Sequence, residues 1–254
     1  MSVRPNFFEI RSIFSVQSRI ILSTPEMAIV LLTGGAGGLG RSITQNLLKS
    51  GHTVIATLEP GGHALESQPN LFTHELDLTD EVGCQALVQQ VVAKHGRIDA
   101  AILLVGGFAM GSISETGFAD IEKMFHLNFQ TTYQVARPVF EQMSQQPEGG
   151  RFVLIGARPA LVASAGKHMV AYALSKSLVI QLSEILNAEG KDKNIVSTVL
   201  VPSTIDTPVN RKAMPDADPA NWVKPEDIAE LIDFVTFGPG KMLRESVLKV
   251  YNKA

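Results

Sequence analysis

The feature that most constrains the fold of this chain is a glycine-rich turn between an apolar run and a helical pattern. Residues 28–33 form a short, continuous apolar run, which is typical of a strand buried on both faces of a parallel sheet. The turn 33–40 reads TGGAGGLG, and residues 41–49 follow with the apolar periodicity of a helix. Glycines in such a turn let the backbone approach a phosphate, at a helix N-terminus that favours negative charge. The turn therefore predicts a nucleotide-binding βα unit at the start of an α/β fold.

The rest of the chain alternates short apolar runs with longer helical patterns. Strands are expected at 28–33, 53–58, 71–76, 100–105, 151–155, 195–201 and 246–251. Helices are expected at 41–49, from a cap at Thr79 or Asp80 to about residue 95, and at 118–143, 170–188 and 224–234. Such alternation implies βαβ units and a doubly wound parallel sheet in a single domain over 27–254. A substrate loop is expected near 203–223, because its Pro- and Asp-rich part, 207–222, suits a cover over an active site.

Composition narrows the function classes. Apolar residues make up 45% and charged residues 19% of the 254, so the chain can bury a core instead of staying disordered. The net charge of −3 argues against nucleic-acid binding as the main role. One cysteine, Cys84, excludes an internal disulfide framework, and six scattered histidines give no metal-ligand spacing. No apolar run approaches the roughly 20 residues of a membrane span, and we expect a cytoplasmic protein without a metal.

The first 26 residues differ in composition from the rest. They carry three arginines and only two acids, a bias that resembles a transit peptide. The alternative is an extension outside the core or an upstream start codon, because Met27 would begin the first strand cleanly. We expect residues 1–26 to form no part of the core.

An acid after the second expected strand indicates which cofactor the turn would hold. Glu59 lies 19 positions after Gly40, and an acid about 20 residues after such a turn can bind both hydroxyls of an adenosine ribose. The same carboxylate would repel the additional phosphate of NADP, so we expect NADH, with NADPH less favoured. The alternative is that Glu59 is only a surface residue at a strand end.

A second interpretation of the turn is a site for a nucleoside triphosphate. The glycines up to Gly40, followed by Arg41 and Ser42, nearly match a P-loop. That motif uses a lysine to reach the phosphates, and Arg41 stands in its place. The substitution disfavours this interpretation.

A tyrosine and a lysine are candidates for acid–base chemistry. Tyr172 and Lys176 are four residues apart in an expected helix, so their side chains share one face. A nearby ammonium favours the phenolate, and we expect Lys176 to lower the pKa of Tyr172 and prepare it for proton transfer. Lys176 is also placed to hold the ribose next to the nicotinamide ring.

Together these residues resemble the short-chain dehydrogenase/reductase family over essentially 27–254. The turn matches the family pattern TGxxxGxG, and Tyr172 and Lys176 match YxxxK. The resemblance implies a Rossmann-type sheet and an NAD(P)-dependent oxidoreductase in which Asn128, with the tyrosine and the lysine, is catalytic and anchors a water in a proton relay. The cofactor contacts that it implies are Thr33, Gly34, Gly38, Leu39, Gly40, Glu59, Asp77, Leu78, Gly106, Tyr172, Lys176 and Thr207.

Two positions depart from the family pattern. The family usually has Asn-Asn-Ala-Gly after the fourth strand, and this chain reads LLVGG at 103–107. After the fifth strand the family usually places a serine that polarises the substrate carbonyl, and here Ala157 occupies or adjoins that place. Ser164 lies eight positions before Tyr172, too near for the usual arrangement, so it is a weak substitute.

Both departures, together with DTPVNRKAMPDAD at 206–218, resemble the dihydropteridine reductases within that family. This resemblance implies NADH-dependent reduction of a quinonoid dihydropterin, with Tyr172 as the proton donor. Such a ring is electron-poor and conjugated, so hydride can reach it with less polarisation than a ketone needs. Asn128 argues against this subgroup, because an asparagine at this position is more typical of the general family. A general carbonyl or alcohol oxidoreductase without the serine, and a catalytically silent NAD-binding protein, stay open as alternatives.

The resemblance also implies a homodimer or homotetramer that pairs through the helices at 118–143 and 170–188. The other expected partner is a small-molecule substrate. Neither a nucleic acid nor a membrane is expected as a partner.

Overall fold

The expected apolar runs pair into one parallel sheet. The structure, a computed structural model, describes residues 27–244 and 246–253, and the expectations for 1–26 lie outside these residues. The strands are β1 (Ile29–Thr33), β2 (Thr53–Leu58), β3 (Leu71–Glu75), β4 (Ala100–Leu103), β5 (Gly150–Ile155), β6 (Ile195–Pro202) and β7 (Val247–Val250). Their order is β3-β2-β1-β4-β5-β6-β7, and every neighbouring pair is parallel. The expected fold class, a doubly wound parallel α/β sheet, is confirmed.

Helices form every connection except the one between β2 and β3, and they cover both faces of the sheet. They are α1 (Gly38–Lys49), α2 (Glu81–His95), α3 (Phe118–Met124), α4 (Thr131–Met143), α5 (Arg158–Leu161), α6 (Val170–Gly190), α7 (Pro208–Ala213) and α8 (Pro225–Thr236). A π-helical segment, Phe125–Gln130, joins α3 to α4. Among the described residues, no helix combines the length and apolar character that crossing a membrane requires.

Two apolar clusters form the core, one on each face of the sheet. Alternate residues of β1 enter the two clusters: Ile29 and Leu31 pack on one side, and Val30 and Leu32 on the other. The first cluster is completed by α2, α4 and α6, and the second by α1 and α8. All five residues of β1 are buried, which is why its sequence is a continuous apolar run.

Several elements differ in extent from the sequence expectations. Helix α1 begins at Gly38 instead of 41, because the N–H of Arg41 already donates to the carbonyl of Gly37 at 3.0 Å. Strand β4 ends at Leu103 instead of 105, because the next amide, of Leu104, donates to the Thr33 hydroxyl at 2.9 Å. The expected loop at 207–222 contains α7 and a short 3₁₀ turn, and α5 was not expected at all.

The strand order fixes where a ligand can bind. β1 lies between β2 and β4, so the connections that leave the carboxyl ends of β1 and β4 run to opposite faces of the sheet. In doubly wound sheets the crevice at such a reversal is the binding place for ligands. The glycine turn that follows β1 lies at this crevice.

Candidate active site

A cleft of about 910 Å³ lies where the carboxyl ends of the central strands meet. Five of the predicted cofactor contacts line it: Gly34, Glu59, Asp77, Leu78 and Gly106. Its wall also contains residues that the sequence analysis did not single out, among them Ala36, Thr57, His63, Lys123, His126, Leu127 and Thr131. The volume and the position of this cleft suit an elongated ligand such as a dinucleotide.

The glycine turn keeps its path because particular positions in it have no side chain. Gly34 has a φ of +70°, and a Cβ on Gly40 would collide with the Gly34 carbonyl oxygen. A Cβ on Gly38 would lie 3.0 Å from Cγ2 of Thr207. The predicted contacts Gly38 and Thr207 therefore meet, and the substrate loop packs against the start of α1.

Helix α1 begins inside the turn without a side-chain cap. Its N-cap residue is Gly37, which also lines the cleft. Uncapped amides at a helix start fit the pyrophosphate of a dinucleotide. Two further predicted contacts, Thr33 and Leu39, face inward. Thr33 is buried and holds the end of β4 through its hydroxyl, and Leu39 packs against the core.

The acid after β2 is open to solvent at the edge of the cleft. Glu59 is exposed, and its main-chain carbonyl accepts the N–H of Gly62 at 2.9 Å. The guanidinium of Arg41 donates to the carbonyls of Ala36 at 3.0 Å and Ala64 at 3.2 Å, which ties the glycine turn to the segment after β2. Arg41 is therefore bonded to main-chain carbonyls, and the exposed carboxylate of Glu59 is accessible to the hydroxyls of a ribose.

Ser42 is not arranged as a P-loop serine. Its hydroxyl donates to Glu226 of α8 at 2.9 Å. A P-loop serine instead turns its hydroxyl to a bound magnesium ion. The contact disfavours the triphosphate interpretation of the turn.

Asp77 is held in its ionised form at the end of β3. Its carboxylate accepts the N–H of Thr79 at 2.9 Å and the Thr79 hydroxyl at 2.7 Å. These bonds lower the pKa of Asp77. The neighbouring Leu78 is buried. At the edge of the cleft, the fixed carboxylate of Asp77 therefore lies next to an apolar residue and can accept a hydrogen bond.

Asn128 is fully buried in the π-helical segment and joins two parts of the site. Its Oδ1 accepts the N–H of Gly107 at 2.8 Å, and its Nδ2 donates to the Gly107 carbonyl at 3.2 Å and to the Ser175 hydroxyl at 2.9 Å. The Ser175 hydroxyl donates in turn to the carbonyl of Tyr172 at 2.8 Å. Sequence reasoning missed Ser175, because a serine inside a helix usually bonds only its own backbone.

Lys176 is buried beside the same loop. Its Nζ donates to the carbonyl of Ile155 at 2.9 Å. A Cβ on Gly106 would lie 3.0 Å from this Nζ and 2.5 Å from Oδ1 of Asn128. Burial lowers the pKa of Lys176 from 10.5 to about 8. The structure thus brings the predicted residues Gly106, Asn128 and Lys176 together.

Tyr172 does not have the lowered pKa that the sequence predicts. Burial raises its pKa to about 12, because an apolar environment disfavours the phenolate. The ammonium of Lys176 does not reverse this effect, and it is bonded to the Ile155 carbonyl. The expectation was wrong. Near neutral pH the phenol keeps a proton that it can donate, and the raised pKa makes it a weaker acid than an ordinary phenol.

No hydroxyl stands where the family serine is usual. Ala157 is buried directly before α5, with only 4% of its surface exposed. Ser164, the weak substitute, is exposed in the segment that follows α5. The site therefore combines a protonated phenol with an apolar residue at the position where the family usually has a serine.

The substrate loop is held in place by its own polar contacts. Arg211 forms two bonds with Asp206, at 2.6 and 2.8 Å. The Thr207 hydroxyl accepts the N–H of Asn210 at 3.3 Å and caps α7, and Pro208 takes the first helical position. A cap followed by proline is a regular helix start, so this part of the loop folds as a short helix.

Comparisons with known proteins show which sequences and folds this chain is similar to. The family model described as short chain dehydrogenase matches residues 28–218. The chain is 27% identical over 230 residues to the dihydropteridine reductase of Dictyostelium discoideum, covering 89% of this chain and 95% of that protein. It is 27% identical over 193 residues to an acetoacetyl-CoA reductase of an Acinetobacter strain, covering 72% of this chain and 77% of that protein. A solved structure described as ElxO with NADP bound has the same fold, with a TM-score of 0.80, 24% identity and coverage of 89% and 97%.

We expect the stability of Lys176→Met relative to the native protein to depend on pH. The pKa of Lys176 falls from 10.5 to about 8 on folding, so the native protein gains stability as the pH rises through that interval and gains none below it. The difference in urea midpoint between variant and native protein should therefore shift in favour of the native protein between about pH 8 and about pH 10.5. Lys167→Met, which alters an exposed lysine, should show no such change. A constant difference for Lys176→Met would contradict the buried ammonium.

Proposed function

Because this chain belongs to the short chain dehydrogenase family, it is an oxidoreductase that uses a nicotinamide cofactor, and we propose that it reduces a quinonoid dihydropterin with NADH. The observation that supports this substrate is the buried Ala157 in a site that keeps Tyr172, Lys176 and Asn128. A similarity over 89% of the chain to the Dictyostelium dihydropteridine reductase supports the same substrate.

The residues of the cleft fit the parts of the cofactor. The glycine turn and the uncapped start of α1 would take the pyrophosphate, and Asp77 with Leu78 would take the adenine. Glu59 would bind the two ribose hydroxyls and exclude an additional phosphate. When bound, the nicotinamide supplies the hydride, which carries two electrons and one proton.

Tyr172 supplies the remaining proton. The reduction of the quinonoid ring to tetrahydropterin consumes one hydride and one proton, and the phenol of Tyr172 is protonated at neutral pH. Loss of that proton leaves a phenolate, to which solvent then restores a proton. Asn128 holds Gly107 and, through Ser175, the backbone of Tyr172, so that the donor keeps its place.

The missing hydroxyl fits this substrate better than it fits a ketone. A ketone develops alkoxide charge as hydride arrives and gains from a donor aimed at its oxygen. A quinonoid ring spreads the incoming charge over its conjugated system. The absence of a hydrogen-bond donor at Ala157 therefore slows its reduction less than it would slow the reduction of a ketone. The electrostatic demand on the site is then met mainly by the proton from Tyr172.

A general carbonyl reductase is the second candidate function. The observation in its favour is Asn128, which is buried and bonded at both ends of its amide. The similarity to an acetoacetyl-CoA reductase also supports it. In that case a group other than the side chain of residue 157 must polarise the carbonyl.

We also propose that two copies of the chain pair through one apolar face. Large apolar side chains are exposed along α3, α4 and α6 and the segment between them: Phe118, Phe125, Tyr133, Leu174, Leu178 and Ile185. A continuous exposed apolar face on neighbouring helices is a common sign of an interface. A second copy would bury these side chains against the same face.

The first prediction concerns the substrate and the tyrosine. We expect the protein to oxidise NADH with quinonoid dihydropterin, and Tyr172→Phe to lower kcat by about a hundredfold or more, because it removes the general acid. Absorbance at 340 nm follows the reaction. Tyr133→Phe, an exposed tyrosine on α4, is the matched control and should keep native activity. Turnover of ketones alone would replace the proposed substrate by the second candidate, and retained NADH binding without any turnover would indicate a silent protein.

The second prediction concerns cofactor choice. We expect Glu59→Ala to lower the preference for NADH over NADPH by about tenfold or more, since one repulsive charge at a phosphate is worth roughly a kcal/mol or more. Dissociation constants of both cofactors, measured by titration, give the ratio. Glu66→Ala, an exposed acid that is not among the residues lining the cleft, should leave it unchanged. An unchanged ratio in Glu59→Ala would mean that Glu59 is only a surface residue.

The third prediction concerns assembly. We expect Ile185→Glu to shift the protein toward the monomer, because a carboxylate on the proposed face would have to be desolvated. Sedimentation velocity reports the mass. Val82→Glu places the same charge at an exposed site on α2 and should leave the assembly intact. A native protein that is monomeric at all concentrations would overturn the proposed pairing.

A further inference from the structure

A phenylalanine beside Tyr172 keeps most of its surface open to solvent. The centroid of the Phe108 ring lies 5.0 Å from that of Tyr172, and the two rings meet at 73°. Phe108 is 58% exposed, although burial of an aromatic ring is ordinarily favourable. An exposed ring fixed next to the reacting group is a contact surface that a ligand can cover.

The loop that carries this ring is bonded on both sides. Before the ring, Gly107 exchanges two hydrogen bonds with the amide of Asn128. After it, Gly111 donates to the carbonyl of His168 at 2.7 Å and accepts the N–H of Val170 at 3.0 Å. Because α6 starts at Val170 and carries the tyrosine two residues later, the exposed ring and the phenol belong to one fixed unit. A wall that is fixed in advance loses little freedom when a ligand binds.

We propose that Phe108 positions the substrate by stacking against a planar conjugated ring. The inference rests on the proposed function, whose substrate is such a ring. Aromatic rings attract one another in offset stacks and edge-to-face pairs. Ala157 offers no hydroxyl to orient the substrate, so the orientation falls to this aromatic wall. Phe108 is thus a substrate-positioning residue, and Tyr172 carries out the proton transfer.

Binding of a planar probe tests the inference apart from turnover. The probe is fully oxidised pterin, titrated calorimetrically into the protein with and without saturating NAD⁺. We expect Phe108→Ala to weaken pterin binding by about tenfold, the upper end of what an aromatic pair contributes. Phe108→Leu should weaken it similarly, since leucine keeps apolar volume but lacks a flat face. Phe108→Trp should bind pterin at least as well as the native protein.

Two controls separate stacking from a loss of structure. Phe234→Ala makes the same change at a partly exposed phenylalanine on α8 and should leave pterin binding unchanged. The affinity for NADH should be the same in all Phe108 variants. Unchanged pterin binding in Phe108→Ala would overturn the inference. Native pterin binding in Phe108→Leu would show that apolar contact alone is sufficient, which would overturn stacking.

A second set of planar rings distinguishes failure of the inference from failure of the proposed function. If pterin does not bind, the same variants are titrated with isatin and menadione. Binding of either ring that depends on Phe108 would overturn the pterin substrate and support the aromatic wall. Binding of none of the three rings would overturn both.

Kinetics with any planar substrate that turns over give the remaining readout. We expect Phe108→Ala to raise KM for that substrate with little change in kcat or in the pH profile of kcat. A fall in kcat without a change in KM would show that Phe108 serves only to hold Tyr172, which would overturn substrate positioning.

Discussion

The buried amide of Asn128 is the interaction on which the arrangement of the site depends. It bonds both the main-chain N–H and the carbonyl of Gly107, shortly after the end of β4, and through Ser175 it reaches the backbone of Tyr172 on α6. A buried amide that loses a partner costs far more than one exposed to water. These bonds therefore keep two elements that are distant in sequence in a single relative position, and Lys176 lies within the same cluster.

The π-helical segment is what makes this amide available. A π turn adds a residue to the helix between α3 and α4 and rotates the following side chains. The carbonyls that this turn loosens are partly satisfied from within the helix, since the hydroxyls of Thr131 and Thr132 donate to the carbonyls of Leu127 and Asn128 at 2.8 and 2.9 Å. The local distortion thus has its own compensation, and the side chain of Asn128 points into the site instead of along the helix surface.

The site places two ionisable groups in an environment that suits neither charge. Burial keeps the phenol of Tyr172 protonated and makes the ammonium of Lys176 easier to lose. Near neutral pH the buried ammonium of Lys176 lowers the stability of the folded protein, whereas the protonated phenol of Tyr172 does not. Shifted pKa values of this kind are common at active sites. The buried alanine at position 157 and the exposed aromatic ring of Phe108 are the two features that support the proposed flat, conjugated substrate.

Periodicity and glycine placement were enough to predict the sheet, because a strand buried on both faces must be a continuous apolar run. The glycine turn, Glu59 and the Tyr172–Lys176 pair were likewise visible, since their chemistry depends on spacing along the chain. The pKa of Tyr172, the role of Ser175 and the place of Phe108 were not visible. Each of these depends on burial and on contacts between segments far apart in sequence, and only the packed tertiary structure decides which groups lose water and which partners they meet.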